Sequence, residues 1–256
     1  MKKKYGLIGF PLGHSYSKDF FNKKFLSEGV NAEYINFEIR DVRELKNVLH
    51  ENPDLCGLNV TLPYKMDVIP LLDNITENAR SIGAVNVIKF KKGRFGKLYL
   101  EGHNSDITGF KQSIEPMLNE SHRKALILGT GGASKAIFHG LKQLGIDPVY
   151  VSQTPKMSCL TYDELTQCSA SNARSIMNEY TIIVNATPLG MFPKTDLYPI
   201  IPYKYLSEKH ILYDLIYNPD ETMFMKKGKE CGAVVKNGLE MLLLQAFISW
   251  EIWNSN

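Results

Sequence analysis

Two periods of apolar and polar residues alternate along the first hundred positions. YGLIGF (5–10) is a short apolar run, and AEYINFEI (32–39) alternates with period two, so both predict strands. Between them, Ser17 to Glu28 predicts a helix, with apolar positions at Phe20, Phe21, Phe25 and Leu26. VRELKNVLH (42–50) predicts a helix and LCGLNV (55–60) a strand. YKMDVIPLL (64–72) and TENARSIG (76–83) predict short helices. AVNVIKF and KLYLEG flank KKGR and predict a hairpin. Strand, helix and strand in this order imply a largely parallel α/β sheet.

The pattern restarts at KALILG (124–129). A helix is expected from Ala133 to Leu144, then strands at PVYVS (148–152), YTIIVNAT (180–187) and HILYDLIY (210–217). PLGMFPKTDLYPIIPY (188–203) is rich in proline and is expected to be loop. The boundary is placed near Asp106 to Phe110. This gives one α/β domain over 1–106 and a second over 107–236, with a helix in 237–256 returning to the first. That helix, LEMLLLQAFISWEIW, carries Glu240, Gln245 and Glu251 and is shorter than the roughly 20 residues a membrane span needs, so it is expected to be buried in protein.

Composition narrows the classes. The 256 residues are 44% hydrophobic and 22% charged, the balance of a globular chain, and a net charge of +3 gives no argument for nucleic acid. MKKK leads into a stretch broken by Gly9, Pro11 and Gly13 with no small-residue cleavage site after it, so no signal peptide is expected. Four cysteines without a CxxC pair read as reduced thiols of a cytoplasmic protein, and six histidines without metal-ligand spacing suggest no metal.

Three stretches carry candidate chemistry. In GTGGAS, Gly129 allows a tight turn between strand and helix, and Gly131 lets the backbone approach a pyrophosphate. The small residues Ala133 and Ser134 allow close packing, and the helix N-terminus favours the phosphates. The pattern lacks a third glycine, and a turn that binds no nucleotide remains the alternative. No acidic residue closes the next strand at Ser152, Gln153 and Thr154, which favours a phosphorylated ribose over NAD. In NVTLPYK, Lys65 follows Asn59 and Thr61 at the end of a strand. On its own it reads as a surface lysine at a helix N-terminus, just as Asp106 reads as a helix cap and Ser15 and Ser17 as caps of the next helix.

GFPLGHSYS, NVTLPYK, IGAVNV, GHNSDITG, GTGGASKA, NATPLGM, DLIYNPDET and NGLEMLLLQAFISW together resemble, in this order, the motif series of the shikimate dehydrogenase family over Gly9 to Trp250. The resemblance implies an N-terminal substrate-binding α/β domain and a Rossmann-type dinucleotide-binding domain. It also implies reversible NADPH-dependent reduction of 3-dehydroshikimate to shikimate, on the route to aromatic amino acids. By position, Lys65 and Asp106 match the proton-transfer pair. Ser15, Ser17, Asn59, Thr61, Asn86, Tyr217 and Gln245 match substrate contacts. Gly129, Thr130, Gly131, Gly132 and Ala133 match the pyrophosphate loop, and Ser152, Gln153 and Thr154 the ribose end. Glu77, Leu215 and Gly238 match lesser cofactor-side contacts.

The sequence departs from the family at Lys18, which stands for a proline, and at Phe21 and Asn22, which stand for His-Asn. Ser105 gives NSD for NTD, and Gln153 stands where many members carry an arginine. NADP is the expected cofactor, with NAD as an alternative. The expected partner is a small molecule, not nucleic acid or membrane, and the expected assembly a monomer or homodimer. A quinate/shikimate dehydrogenase and a catalytically silent metabolite-binding paralogue are the competing readings.

Overall fold

A computed structural model describes residues 2–13, 16–93 and 97–255. It divides into two compact units, Met1–Ser105 with Ala246–Asn256 and Asp106–Gln245. Both units are built as α/β sheets.

The first unit holds strands β1 (Lys3–Gly9), β2 (Ala32–Glu38), β3 (Leu55–Val60), β4 (Asn74–Ile75), β5 (Val87–Lys92) and β6 (Leu98–His103). They form one sheet in the order β2-β1-β3-β5-β6-β4. β1 runs parallel to β2 and β3, while β5 is antiparallel to β3 and to β6, so the sheet is mixed. Successive side chains of β1 feed opposite faces. Tyr5 and Leu7 join Phe21, Phe25, Tyr34 and Trp253, whereas Ile8 joins Leu45, Leu58, Val60 and Ile88. Helix α1 (Tyr16–Ser27) thus covers one face, with α2 (Leu45–Glu51) and α3 (Glu77–Ile82) on the other.

The last turns of the long C-terminal helix, α9 (Leu239–Asn254), complete the first of these cores. Trp253 stacks on Tyr5 with ring centroids 4.8 Å apart and donates its indole N–H to the Ile88 carbonyl at 3.1 Å. The indole lies against the bare backbone of Gly57, where a Cβ would come within 2.4 Å of the ring. Glycine at 57 is therefore a condition for docking this helix.

The second unit holds β7 (Lys124–Leu128), β8 (Asp147–Ser152), β9 (Cys159–Thr161), β10 (Ile182–Asn185), β11 (Ile211–Asp214) and β12 (Val234–Lys236), all parallel, in the order β12-β11-β10-β7-β8-β9. Counted within the unit, this is the doubly wound dinucleotide-binding order 6-5-4-1-2-3. The inner strands β7, β10 and β11 are mostly apolar because both faces are covered. Leu126 and Leu128 face one core while Ala125 and Ile127 face the other. Helices α4 (Asp106–Ile114), α5 (Gly132–Gln143), α6 (Tyr162–Thr166), α7 (Ala170–Glu179) and α8 (Met223–Glu230) belong to this unit.

The expected long strands and helices lie where the apolar pattern puts them, whereas α7 and α8 are helices that no expectation covered. YKMDVIPLL forms no α-helix: it is a series of turns ending in a 3-10 turn at Ile69–Leu71, and Pro70 lacks the N–H that a continuing helix needs. VRELKNVLH opens with a 3-10 turn over Val42–Glu44, closed by an Asp41–Glu44 capping box, before α2. The first part of α9 packs with the second unit, since Met241 sits in its core and Gly109 of α4 lies against the Met241 and Gln245 backbone. The division therefore falls at 246, not at 237.

The Gly57 contact is testable. Gly57→Ala should destabilise the first unit by about 1–3 kcal/mol, the usual cost of overpacking a well-filled site. Both tryptophans lie in this unit, so urea unfolding followed by tryptophan fluorescence reads it directly. An unchanged midpoint would show that Trp253 does not need the bare backbone.

Candidate active site

The first unit gathers polar side chains at one end of its sheet. β1 and β3 both finish there, β5 begins there, and β6 arrives antiparallel to β5. Asn59 is in the last turn of pleat of β3 and Thr61 just beyond it, with its N–H on the Ile8 carbonyl at 2.9 Å. Asn86 immediately precedes β5. Its carbonyl accepts from Val60 N–H at 2.9 Å and its N–H donates to His103 at 3.0 Å. Lys65 lies in the turn after β3, half-buried, and its carbonyl accepts the Val85 N–H at 2.7 Å, one residue before Asn86. Backbone pairing alone therefore brings Asn59, Thr61, Lys65 and Asn86 together.

Behind them lies a buried network. The Tyr34 hydroxyl donates to Asn59 Oδ1 at 2.8 Å, and Asn59 Nδ2 donates to Ser249 Oγ at 3.0 Å and to the Asn86 carbonyl at 3.2 Å. Asn86 Oδ1 accepts the Ser105 N–H at 2.7 Å, and Asn86 Nδ2 donates to Ser105 Oγ at 3.0 Å. Ser105 Oγ lies 3.3 Å from Ser249 Oγ. Buried amides are costly without partners, and these have them. Asn22, which stands where the family's His-Asn pair ends, ties α1 to β2. Its amide donates to the Tyr34 carbonyl and accepts the Tyr34 N–H, both at 3.0 Å.

The remaining expected residues of this unit are more scattered. Ser17 is the second residue of α1 and half-buried; Ser15 lies outside the described residues. Glu77 opens α3 behind the Thr76 cap and is exposed.

In the second unit, β7 runs into Gly129, whose φ of +103° suits glycine, and Gly131 caps the N-terminus of α5. Ser134 Oγ donates to the Gly131 carbonyl at 2.7 Å and holds the turn closed. A Cβ on Gly131 would meet nothing within 4 Å, so the turn's outer face is open above the N-terminus of α5. A pyrophosphate fits this arrangement: bare backbone, free approach and a 12-residue helix aimed at it. Lys156 donates to Thr130 Oγ1 at 3.0 Å, placing an ammonium beside the turn. Ser152 is buried at the end of β8 and accepts the Thr154 N–H at 3.3 Å, while Gln153 and Thr154 are exposed.

The ends of β10 and β11 are locked together. Asn185 Nδ2 donates to Asp214 Oδ1 at 3.0 Å, Ile216 N–H donates to the same oxygen at 3.0 Å, and Thr222 Oγ1 donates to Oδ2 at 2.6 Å. Leu215 follows Asp214, and Gly238 packs so closely that a Cβ there would overlap the Leu215 carbonyl. Tyr217 is half-buried. Gln245 is half-buried rather than enclosed, and its amide donates to the Leu242 carbonyl at 3.0 Å. Asp106 is buried as the first residue of α4. Sequence reasoning missed Tyr34, Ser105, Ser249 and Asp214. A hydroxyl in the middle of the apolar α9 was the one available signal for Ser249.

A doubly wound sheet with an open glycine turn in one unit, and amide, hydroxyl and amine groups at the strand ends of the other, define a nucleotide-binding α/β protein with two units. Residues 7–88 match the family pattern described as the shikimate dehydrogenase substrate binding domain. The shikimate dehydrogenase (NADP(+)) of Aquifex aeolicus is 36% identical over 253 residues, covering 98% of this chain and 90% of that protein. The crystal structure of Thermus thermophilus shikimate 5-dehydrogenase in complex with NADP(H) and shikimate aligns with a TM-score of 0.82 at 27% identity. It covers 98% of this chain and 93% of that one. The Listeria monocytogenes shikimate 5-dehydrogenase, in complex with shikimate and NAD, aligns with a TM-score of 0.82 at 28% identity, covering 98% and 91%. The chain belongs to the shikimate dehydrogenase family.

Burial pushes the Asp214 carboxyl up to about 6, against the lowering effect of the Thr222, Ile216 and Asn185 hydrogen bonds. The fold therefore favours the protonated form. This contribution to stability is complete below the ordinary carboxyl range and is lost as pH rises through about 6. The melting temperature of the wild type, relative to Asp214→Asn, should fall as pH is raised from about 4 to 7. A constant difference across that range would contradict the shift.

Proposed function

We propose that this chain catalyses the reversible NADPH-dependent reduction of 3-dehydroshikimate to shikimate, on the route to aromatic amino acids. The observation that carries the reading is the convergence of Asn59, Thr61, Lys65 and Asn86 at one sheet end, in a chain that matches NADP(+)-dependent shikimate dehydrogenases over nearly its whole length. The first unit is the substrate-binding domain and the second the NADP-binding domain. The four cysteines are free thiols, in keeping with a reducing cytoplasm, and no helix among the described residues is long and apolar enough to cross a membrane.

Reducing a ketone requires a hydride at carbon and a proton at oxygen, and NADPH supplies the hydride when bound. Lys65 delivers the proton and takes it back in the reverse direction, a step typically worth about 100- to 10,000-fold. Asp106 steadies the charged form of the amine. Thr61, Asn86, Tyr217 and Gln245 orient the substrate hydroxyls, with Asn59 behind them. Ser15 and Ser17 hold the carboxylate near the α1 N-terminus, where an anion is favoured. Gly129 to Ala133 hold the pyrophosphate, Ser152 to Thr154 the ribose end, and Glu77, Leu215 and Gly238 make the lesser cofactor contacts.

A second reading, NAD use, is favoured by the exposed Gln153, since a neutral amide replaces neither the charge nor the fork of an arginine. Lys156 beside Thr130 weighs the other way by supplying a cation for a 2′-phosphate.

Lys65→Ala should lower kcat by roughly 100-fold or more and change KM for shikimate far less, because proton transfer is lost while the hydroxyl and amide contacts stay. Near-wild-type turnover would remove Lys65 from the mechanism. NADP should exceed NAD in kcat/KM. Lys156→Gln should weaken NADP binding about tenfold, as loss of one charge-assisted hydrogen bond implies, and Gln153→Arg should tighten it, with NAD nearly unmoved in both. Cofactor titrations of intrinsic fluorescence measure this without turnover. A wild type that prefers NAD would overturn the choice.

A further inference from the structure

Asn59 cannot turn its amide. The Asn86 carbonyl can only accept, which commits Nδ2 to it and to the Ser249 hydroxyl and leaves Oδ1 to take the Tyr34 hydroxyl hydrogen. Ser249 in turn meets Ser105 Oγ, and Ser105 brackets the Asn86 amide: its N–H donates to Oδ1 while its hydroxyl accepts from Nδ2. Asn59 thus grips the Asn86 main chain through its carbonyl, and the Asn86 side chain through two serine hydroxyls. Tyr34 is 1% exposed and Ser249 0%.

We propose that Tyr34 and Ser249 are positioning residues for substrate binding. Acting through Asn59 and Ser105, they hold Asn86 in the place from which its side chain meets a substrate hydroxyl. The inference rests on the shikimate reading above. The linkage depends on side-chain hydroxyls: an alanine at 249 leaves Asn59 Nδ2 with only the Asn86 carbonyl at 3.2 Å and takes one neighbour from Ser105 Oγ. A phenylalanine at 34 keeps the ring stacked on Phe21 but leaves Asn59 Oδ1 without its donor.

The test is steady-state kinetics of shikimate oxidation with NADP for the wild type, Ser249→Ala, Tyr34→Phe and the double variant, each also in an Asn86→Ala background. Each single change should raise KM for shikimate roughly 3- to 10-fold, the worth of one hydrogen bond, while kcat and KM for NADP stay within about twofold. The double variant should cost less than the product of the singles, because both act through Asn59. In the Asn86→Ala background the KM effects should vanish, since nothing is left to orient. Tyr34→Phe preserves shape and decides the matter if Ser249→Ala does not fold. A wild type inactive on shikimate would overturn the functional reading and this inference with it. An active wild type whose KM is unmoved in the folded variants, or moves equally with and without Asn86, would overturn this inference alone.

Discussion

The head of the first sheet depends on satisfying the side-chain amide of Asn59 away from water. A buried amide with unmet donors costs on the order of 1–3 kcal/mol, and this one has partners on three elements: Tyr34 of β2, Ser249 of α9 and the backbone at Asn86. Those partners come from positions 25, 27 and 190 residues away. The bond to Ser249 needs the end of α9 seated on the sheet. Seating it needs Gly57 bare under Trp253, and it is helped by the Trp253 bond to Ile88. The order of the strand ends, the docking of the last helix and the setting of the polar groups are thus one constraint seen from three sides.

The second unit solves a different problem. Its inner strands are buried on both faces, so its polar work is done at their carboxyl ends. Gly129 and Gly131 do it with backbone alone. At β10 and β11 the work falls to side chains, with one carboxylate, Asp214, accepting from Asn185, Ile216 and Thr222. The same burial that makes this tie rigid raises the proton affinity of Asp214. Lys156 adds a cation beside the glycine turn, where the arginine common in the family would have acted from position 153.

Local features were legible in the amino-acid order. Apolar runs marked β7, β10 and β11; period-two alternation marked β2; and the glycine turn announced the N-terminus of α5. Strands too short to show a period escaped, namely the two residues of β4 and the three each of β9 and β12. The resemblance to a family named Lys65, Asp106 and the substrate-side amides and hydroxyls. It could not show that Asn59 spends both amide hydrogens inside the protein, nor that Ser249 accepts one of them, because those facts belong to packing between distant segments. Gln153 and Lys156 fall between these cases: the missing arginine was plain in the sequence, whereas the lysine's seat on Thr130 needed the fold.

The most direct test of the whole account is the absorbance of reduced nicotinamide when the purified wild-type chain meets shikimate and NADP. The account predicts reduction of NADP that requires shikimate and reverses on addition of 3-dehydroshikimate. A folded protein that reduces neither NADP nor NAD in the presence of shikimate would contradict it.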